Sequence, residues 1–88
     1  MFLTAKYAVG TDQLSGVRSA VVFSELVRHT SAEGFFAPNS ITSAGFFVFD
    51  DTKVTVYGKS TGLNCQAIPE DEELVGRAIG HPAYGIKF

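Results

Sequence analysis

Residues 40–49, SITSAGFFVF, are apolar along most of their length and leave no face for water. Side chains alternate across a strand, so a strand apolar on both sides needs cover on both sides. The segment is therefore expected at the centre of a sheet. Ala44 and Gly45 are small, which marks the place where a close neighbour crosses. DDTK (50–53) then makes a tight hairpin turn, and VTVY (54–57) returns antiparallel.

The rest of the chain supplies partners for that strand. FLTAKYAV (2–9) is rich in β-formers, ends at Gly10 and reads as a strand, and GTDQLSG (10–16) is a turn-rich connection. VRSAVVFSELV (17–27) alternates. Val17, Ser19, Val21, Phe23, Glu25 and Val27 share one face, and Arg18, Ala20, Val22, Ser24 and Leu26 the other. Its second half, AVVFSELVRH, fits a strand or a helix, and β-branched content favours the strand. HTSAEGFFAPN (29–39) reads as a loop stopped by Pro38-Asn39, and CQA (65–67) as a last short strand.

IPEDEELVGRAIG (68–80) carries the signals of a helix. Pro69 suits the first turn, where a missing N–H costs nothing. The run Glu70-Asp71-Glu72-Glu73 complements the positive end of the helix dipole. Glu73 and Arg77 are spaced for an i,i+4 pair, Leu74, Val75, Ala78 and Ile79 form an apolar stripe, and Gly80 is a natural stop. HPAYGIKF (81–88) has enough apolar residues to dock or to add a strand, and His81 is expected in water. The sum is an α+β fold, one domain over 1–88: a small antiparallel sheet of four to five strands with a C-terminal helix packed on one face.

Composition narrows the function classes. A chain of 88 residues buries only about 60–65% of its unfolded surface. Its 45% hydrophobic content, with eight Phe and three Tyr, is rich enough to exclude disorder and to leave surplus for a subunit contact. The net charge of −2 and seven basic residues scattered along the chain argue against a nucleic-acid surface. One cysteine, Cys65, and two distant histidines exclude an internal disulfide and a cysteine-based zinc cage. No metal or cofactor is expected. The start MFLTAKYAV does not read as a signal peptide, and no stretch reaches the roughly 18 apolar residues a membrane span needs, so a cytoplasmic protein is expected.

Gly58-Lys59-Ser60 has the look of a phosphate loop's end. The full pattern needs a glycine five residues before Gly58, where Lys53 stands, and a helix directly after. VTVY reads as strand instead, so nucleotide hydrolysis is not expected. Two readings remain: Gly58 ends or bulges a strand with Lys59 in water, or the N–H groups of 58–62 with Lys59 hold an anion. Glu25 and His29 stand four apart, close enough for an acid–base pair or a structural contact. Cys65 has no base beside it in sequence and reads as a packing residue. Phe35-Phe36, within the 29–39 segment, must cover either the core edge or a partner subunit and are taken as interface residues.

In order, VVFSELVRH, ITSAGFFVF, VTVYGKSTGLN and PEDEELVGRAI resemble a family of small uncharacterised proteins of bacteriophages and bacteria. The shared pattern is F-x-E-x-x-x-H (Phe23, Glu25, His29), S-A-G-F (Ser43 to Phe46), Y-G-x-S (Tyr57, Gly58, Ser60) with Leu63, and P-E-D (Pro69 to Asp71). It covers about residues 21–79. Lys59 and Thr61-Gly62 depart from it, where an acid and a second serine are expected. The resemblance implies a small cytoplasmic or phage-related protein and no assigned activity. KVTVYGKS is also similar to a strand of phosphohistidine phosphatases, over too short a stretch to carry that activity across.

The leading expectation is a non-enzymatic interaction module that binds a protein partner and assembles as a homodimer. The rival is a binder of a small anion, a nucleotide or phosphate metabolite, with Glu25, His29, Tyr57, Gly58, Lys59 and Ser60 around the ligand. A hydrolase using His29 comes third. The discriminating feature is whether His29 and Lys59 face one cavity.

Overall fold

The computed structural model describes residues 3–80; the expectations for the tail 81–88, His81 included, lie outside them. Strands β1 (Leu3–Thr11), β2 (Arg18–Phe23), β3 (Ser43–Phe49) and β4 (Val54–Tyr57) form one antiparallel sheet in the order β2-β1-β3-β4. A 3-10 helix, His29–Phe35, separates β2 from β3. Strands β5 (Lys59–Ser60) and β6 (Cys65–Gln66) pair in a second small sheet, and helix α1 (Asp71–Ala78) follows. The α+β class, the antiparallel sheet and the C-terminal helix are as the sequence predicts. Cys65–Gln66 pairs with Lys59–Ser60 and does not extend the main sheet.

The doubly apolar strand β3 is interior, between β1 and β4. Its small residues meet close neighbours: a Cβ on Gly45 would lie 2.7 Å from the carbonyl oxygen of Tyr57. The hairpin after it is held by Asp50. Its carboxylate accepts the N–H groups of Thr52 and Lys53 and the Thr52 hydroxyl, while Asp51 takes the left-handed conformation. Those bonds, the Thr52 hydroxyl first, hold the Asp50 carboxyl down at about 2.

Strand order decides what the 24–42 segment must do. β1 lies between β2 and β3, so the chain has to cross one face of the sheet to pass from β2 to β3. β2 stops at Phe23 because Ser24 starts a turn: its hydroxyl accepts the N–H of Leu26 and its carbonyl that of Val27. Glu25 through Val27 therefore form neither strand nor helix. The segment 29–39 is not a plain loop either. Its 3-10 helix lays Ala32 and, just after it, Phe36 on Ala8 and Ala44, with Val21, Phe23, Ile41, Leu63 and Cys65 around them.

This placement corrects the expectation for Phe36. Only 2% of it is exposed, and its ring packs flat on Gly10, where an added Cβ would sit 2.8 Å from the ring. A glycine in β1 thus makes room for an aromatic ring from the crossing segment, and Phe36 has no surface to offer a subunit. Phe35, its neighbour, points outward and is 60% exposed.

Helix α1 covers the opposite face, where Tyr7, Val9, Phe47, Val54 and Val75 form the buried core. The expected Glu73–Arg77 pair is present at 2.8 Å on the surface. The acidic run, however, does more than complement the dipole. Asp71 is fully buried at the start of α1, and its carboxylate accepts the Tyr7 hydroxyl at 2.5 Å, the Ser43 hydroxyl at 2.8 Å and the Ile68 N–H at 3.2 Å. The buried face of the helix is centred on Asp71 and Val75, with Leu74 and Ile79 half-buried beside them. Ala78, assigned to the stripe from its spacing, is exposed, because the helix turns its acidic residue inward to meet β1 and β3. Burial, then the bond to Asp71, push the Tyr7 hydroxyl well above the ordinary tyrosine range.

Removing one donor leaves a buried carboxylate under-satisfied, so Tyr7→Phe should cost about 1–3 kcal/mol in urea or guanidinium unfolding. Glu70→Ala, at the exposed N-cap with no side-chain cap bond, should stay within about 0.5 kcal/mol. Because the folded Tyr7 holds its proton and the unfolded chain releases it near pH 10, wild-type stability should be full below that pH and fall above it. In Tyr7→Phe that alkaline limb should shrink. Phe36→Asp should unfold the protein, whereas Phe35→Asp should leave the circular dichroism spectrum and melt unchanged.

Candidate functional site

One cavity, about 420 Å³, opens on the sheet face that the crossing segment covers incompletely. Four pieces of chain build it. β1 contributes Lys6, β3 contributes Phe46, the chain entering the 3-10 helix contributes Arg28, His29 and Thr30, and the β5–β6 hairpin contributes Lys59 to Gly62. The volume falls within the roughly 300–1,000 Å³ of small-molecule sites. Three cationic side chains and no carboxylate line it.

The floor follows from register. Phe23, Lys6, Phe46 and Tyr57 lie in one row across β2, β1, β3 and β4, since Lys6 pairs with both Phe23 and Phe46, and Phe46 with Tyr57. His29 drops onto this row. Its ring meets Phe23 edge-on at 5.6 Å and Phe46 edge-on at 5.4 Å, and its Nε2 lies 2.8 Å from the Gly45 carbonyl oxygen. A carbonyl only accepts, so Nε2 carries the proton and donates. Lys6 is held as well: its ammonium donates to the Val27 carbonyl and stands 5.9 Å over the Phe46 ring. Arg28 and Lys59 make no ion pair among the described residues, so their charges remain available to a ligand.

The hairpin wall explains the phosphate-loop likeness. Gly58 takes a positive φ of 77°, with its missing Cβ leaving room for Phe46, and so kinks the chain out of β4. Lys59–Ser60 then form a strand, and a tight turn leads into β6, so no helix opens after the motif. Within the turn the Leu63 N–H is spent on the Ser60 hydroxyl and the Asn64 N–H on the Thr61 carbonyl. Thr61 and Gly62 keep N–H groups with no partner among the described residues. Gly62 also fits the hairpin against the 3-10 helix, where a Cβ would come 3.1 Å from the Thr30 methyl.

Of the residues expected to surround a ligand, His29, Lys59 and Ser60 line this cavity. Gly58 shapes it from behind. Tyr57 does not line it; its ring stacks on Phe46 at 5.7 Å and is 47% exposed beside it. Glu25 is on the exposed turn after β2 and lines a different, mostly apolar cavity with Leu3, Val22 and Phe47. The Glu25–His29 acid–base pair is therefore not assembled. Lys6, Arg28 and Thr30 carry no site signal in the sequence, and Phe46 stands there only within the S-A-G-F stretch. The basic residues look scattered along the chain, and only the strand order brings three of them together.

Cys65 packs beside Leu63 and Ile41, its thiol 3.3 Å from the Leu63 carbonyl. Among the described residues no group of three or more His, Cys, Asp or Glu side chains could hold a metal ion, and no helix is long and apolar enough to cross a membrane. No protein-family model, no curated protein and no solved structure matches the chain.

His29→Phe keeps the ring contacts but strips the Gly45 carbonyl of its donor. It should cost about 1–3 kcal/mol in a denaturant titration. Lys59→Ala, at an exposed position, should change stability by no more than about 0.5 kcal/mol. A smaller effect for His29→Phe than for Lys59→Ala would contradict the geometry.

Proposed function

We propose that the protein is a non-enzymatic binding module that takes a small anionic ligand of the phosphate-ester class, a nucleotide or phosphate metabolite, in the cavity between the 3-10 helix and the β5–β6 hairpin. The observation that carries this reading is the convergence of Lys6, Arg28 and Lys59 with His29 on a single cavity that no carboxylate lines. Like charges gathered without a counter-charge leave a positive potential that an anion relieves. The Arg28 guanidinium suits two phosphate oxygens at once, and Lys59 acts as a point charge at the opposite lip. The Thr61 and Gly62 N–H groups and the Thr30 hydroxyl add neutral donors. A single phosphate underfills about 420 Å³, which favours an ester with an organic part lying along Phe46 and the exposed ring of Tyr57.

Binding is favoured over hydrolysis because the geometry lacks the parts of a hydrolase. The Nε2 of His29 is engaged with Gly45, Glu25 lies elsewhere, and the Ser60 hydroxyl accepts the Leu63 N–H inside its own turn.

Calorimetry at low salt against a panel of nucleotides and sugar phosphates tests the proposal. Binding without magnesium is expected, weakening as salt screens the lip charges. Loss of one charged hydrogen-bond donor in Arg28→Ala or Lys59→Ala should weaken it about tenfold or more. Glu25→Ala should have no effect, and ATP should not be turned over. No detectable phosphate-bearing ligand would remove the proposal, and magnesium-dependent ATP hydrolysis lost in Lys59→Ala would replace it with an enzyme.

A further inference from the structure

The edge of the sheet formed by β2 carries a second surface that the cavity does not use. Residues 18–23, RSAVVF, pair with β1 on one side only, and among the described residues their outward backbone groups have no partner. An apolar, β-branched edge with free N–H and C=O groups is a template for another strand. Leu14 and Val17 flank one end of the edge, 98% and 60% exposed, and Leu26 flanks the other, 95% exposed.

Charge is divided between the same two ends. Arg18 opens β2, and Glu25 stands just beyond its close; no other charged residue lies from 17 to 27. Arg77 of α1 shares the Arg18 end, where it lines a shallow groove with Val17, Leu74 and Ala78, and is itself paired with Glu73. Past the Glu25 end, Arg28 and Lys6 face the ligand cavity, the Lys6 ammonium bound to the Val27 carbonyl, and at the Arg18 end Asp12 turns its carboxylate to the N–H groups of Leu14 and Ser15. An edge basic at one end and acidic at the other complements itself when a second copy runs antiparallel. Each Arg18 then lies near the partner's Glu25, and each Leu14–Val17 end near the partner's Leu26. Parallel pairing would set like charges together.

We infer that β2 is a self-pairing edge through which two copies join their sheets antiparallel about a two-fold axis, making one continuous eight-stranded sheet. The axis is normal to the sheet, so both copies of α1 lie on one side and both ligand cavities on the other. The flank of α1 above β2, with Leu74 half-buried and Ala78 exposed, is covered by the incoming strand. Backbone pairing supplies the attraction, the flanking leucines supply apolar area, and the two Arg18–Glu25 contacts choose the orientation. The surface is separate from the cavity, so the two proposals stand or fall independently.

Sedimentation velocity on the full chain is the test. Wild type should be a dimer at about 100 μM, a concentration at which even a modest interface is populated. Arg18→Glu and Glu25→Arg each place like charges together and should weaken the dimer about tenfold or more, while the double variant R18E/E25R should restore it. Both positions are exposed, and an unchanged thermal melt shows that the variants fold. A monomeric wild type overturns the inference. So does a dimer indifferent to the single swaps, or one that the double variant fails to recover.

Discussion

The buried carboxylate of Asp71 ties the fold together. It takes one hydroxyl from β1 and one from β3, the two interior strands, and an N–H from the segment leading into α1. A short helix with a narrow apolar face has few ways to fix its own position on a sheet, because hydrophobic contact is not directional. Three hydrogen bonds to one carboxylate are directional. They set where α1 starts, and through it where the chain leaving β6 must run. Any other seat for the helix leaves a buried carboxylate without partners, which costs more than the bonds gain.

With α1 seated on one face in this way, the other is left to the segment that crosses from β2 to β3. That cover is thinner: a 3-10 helix, the Phe36 ring on Gly10, and the β5–β6 hairpin leaning in through Gly62. The two pieces do not close over the row formed by Phe23, Lys6, Phe46 and Tyr57. The opening between them is the cavity, and its charge is a consequence of which residues border the gap. Structural and ligand-facing roles meet in His29, which packs between two phenylalanines and still lines the space.

Local features of the sequence carried far. The doubly apolar run 40–49, the DDTK turn and the returning VTVY are legible because each depends on residues a few positions apart. The helix with its Glu73–Arg77 pair is legible for the same reason. Reading failed where a residue's role depends on a distant partner. Phe36 reads as surplus apolar surface until Gly10 is seen beneath it. Asp71 reads as one of four dipole-complementing acids until Tyr7 and Ser43 face it. Glu25 and His29, four apart, look like a pair until the Ser24 turn sends one outward and the other onto the sheet.

From its sequence alone, then, the chain determined its class: strands placed by alternation, a helix placed by period and caps, and the absence of a complete phosphate loop around Gly58-Lys59-Ser60. Those follow from short-range sterics and periodicity, which act within a few residues. Tertiary structure alone decided that the sheet has cover on both faces, incomplete on one of them, that the acidic run contains a core residue, and that Lys6, Arg28 and Lys59 share a cavity. The physical reason is strand order. Placing β1 between β2 and β3 forces the chain across the sheet, and that crossing brings together residues that the sequence holds dozens of positions apart.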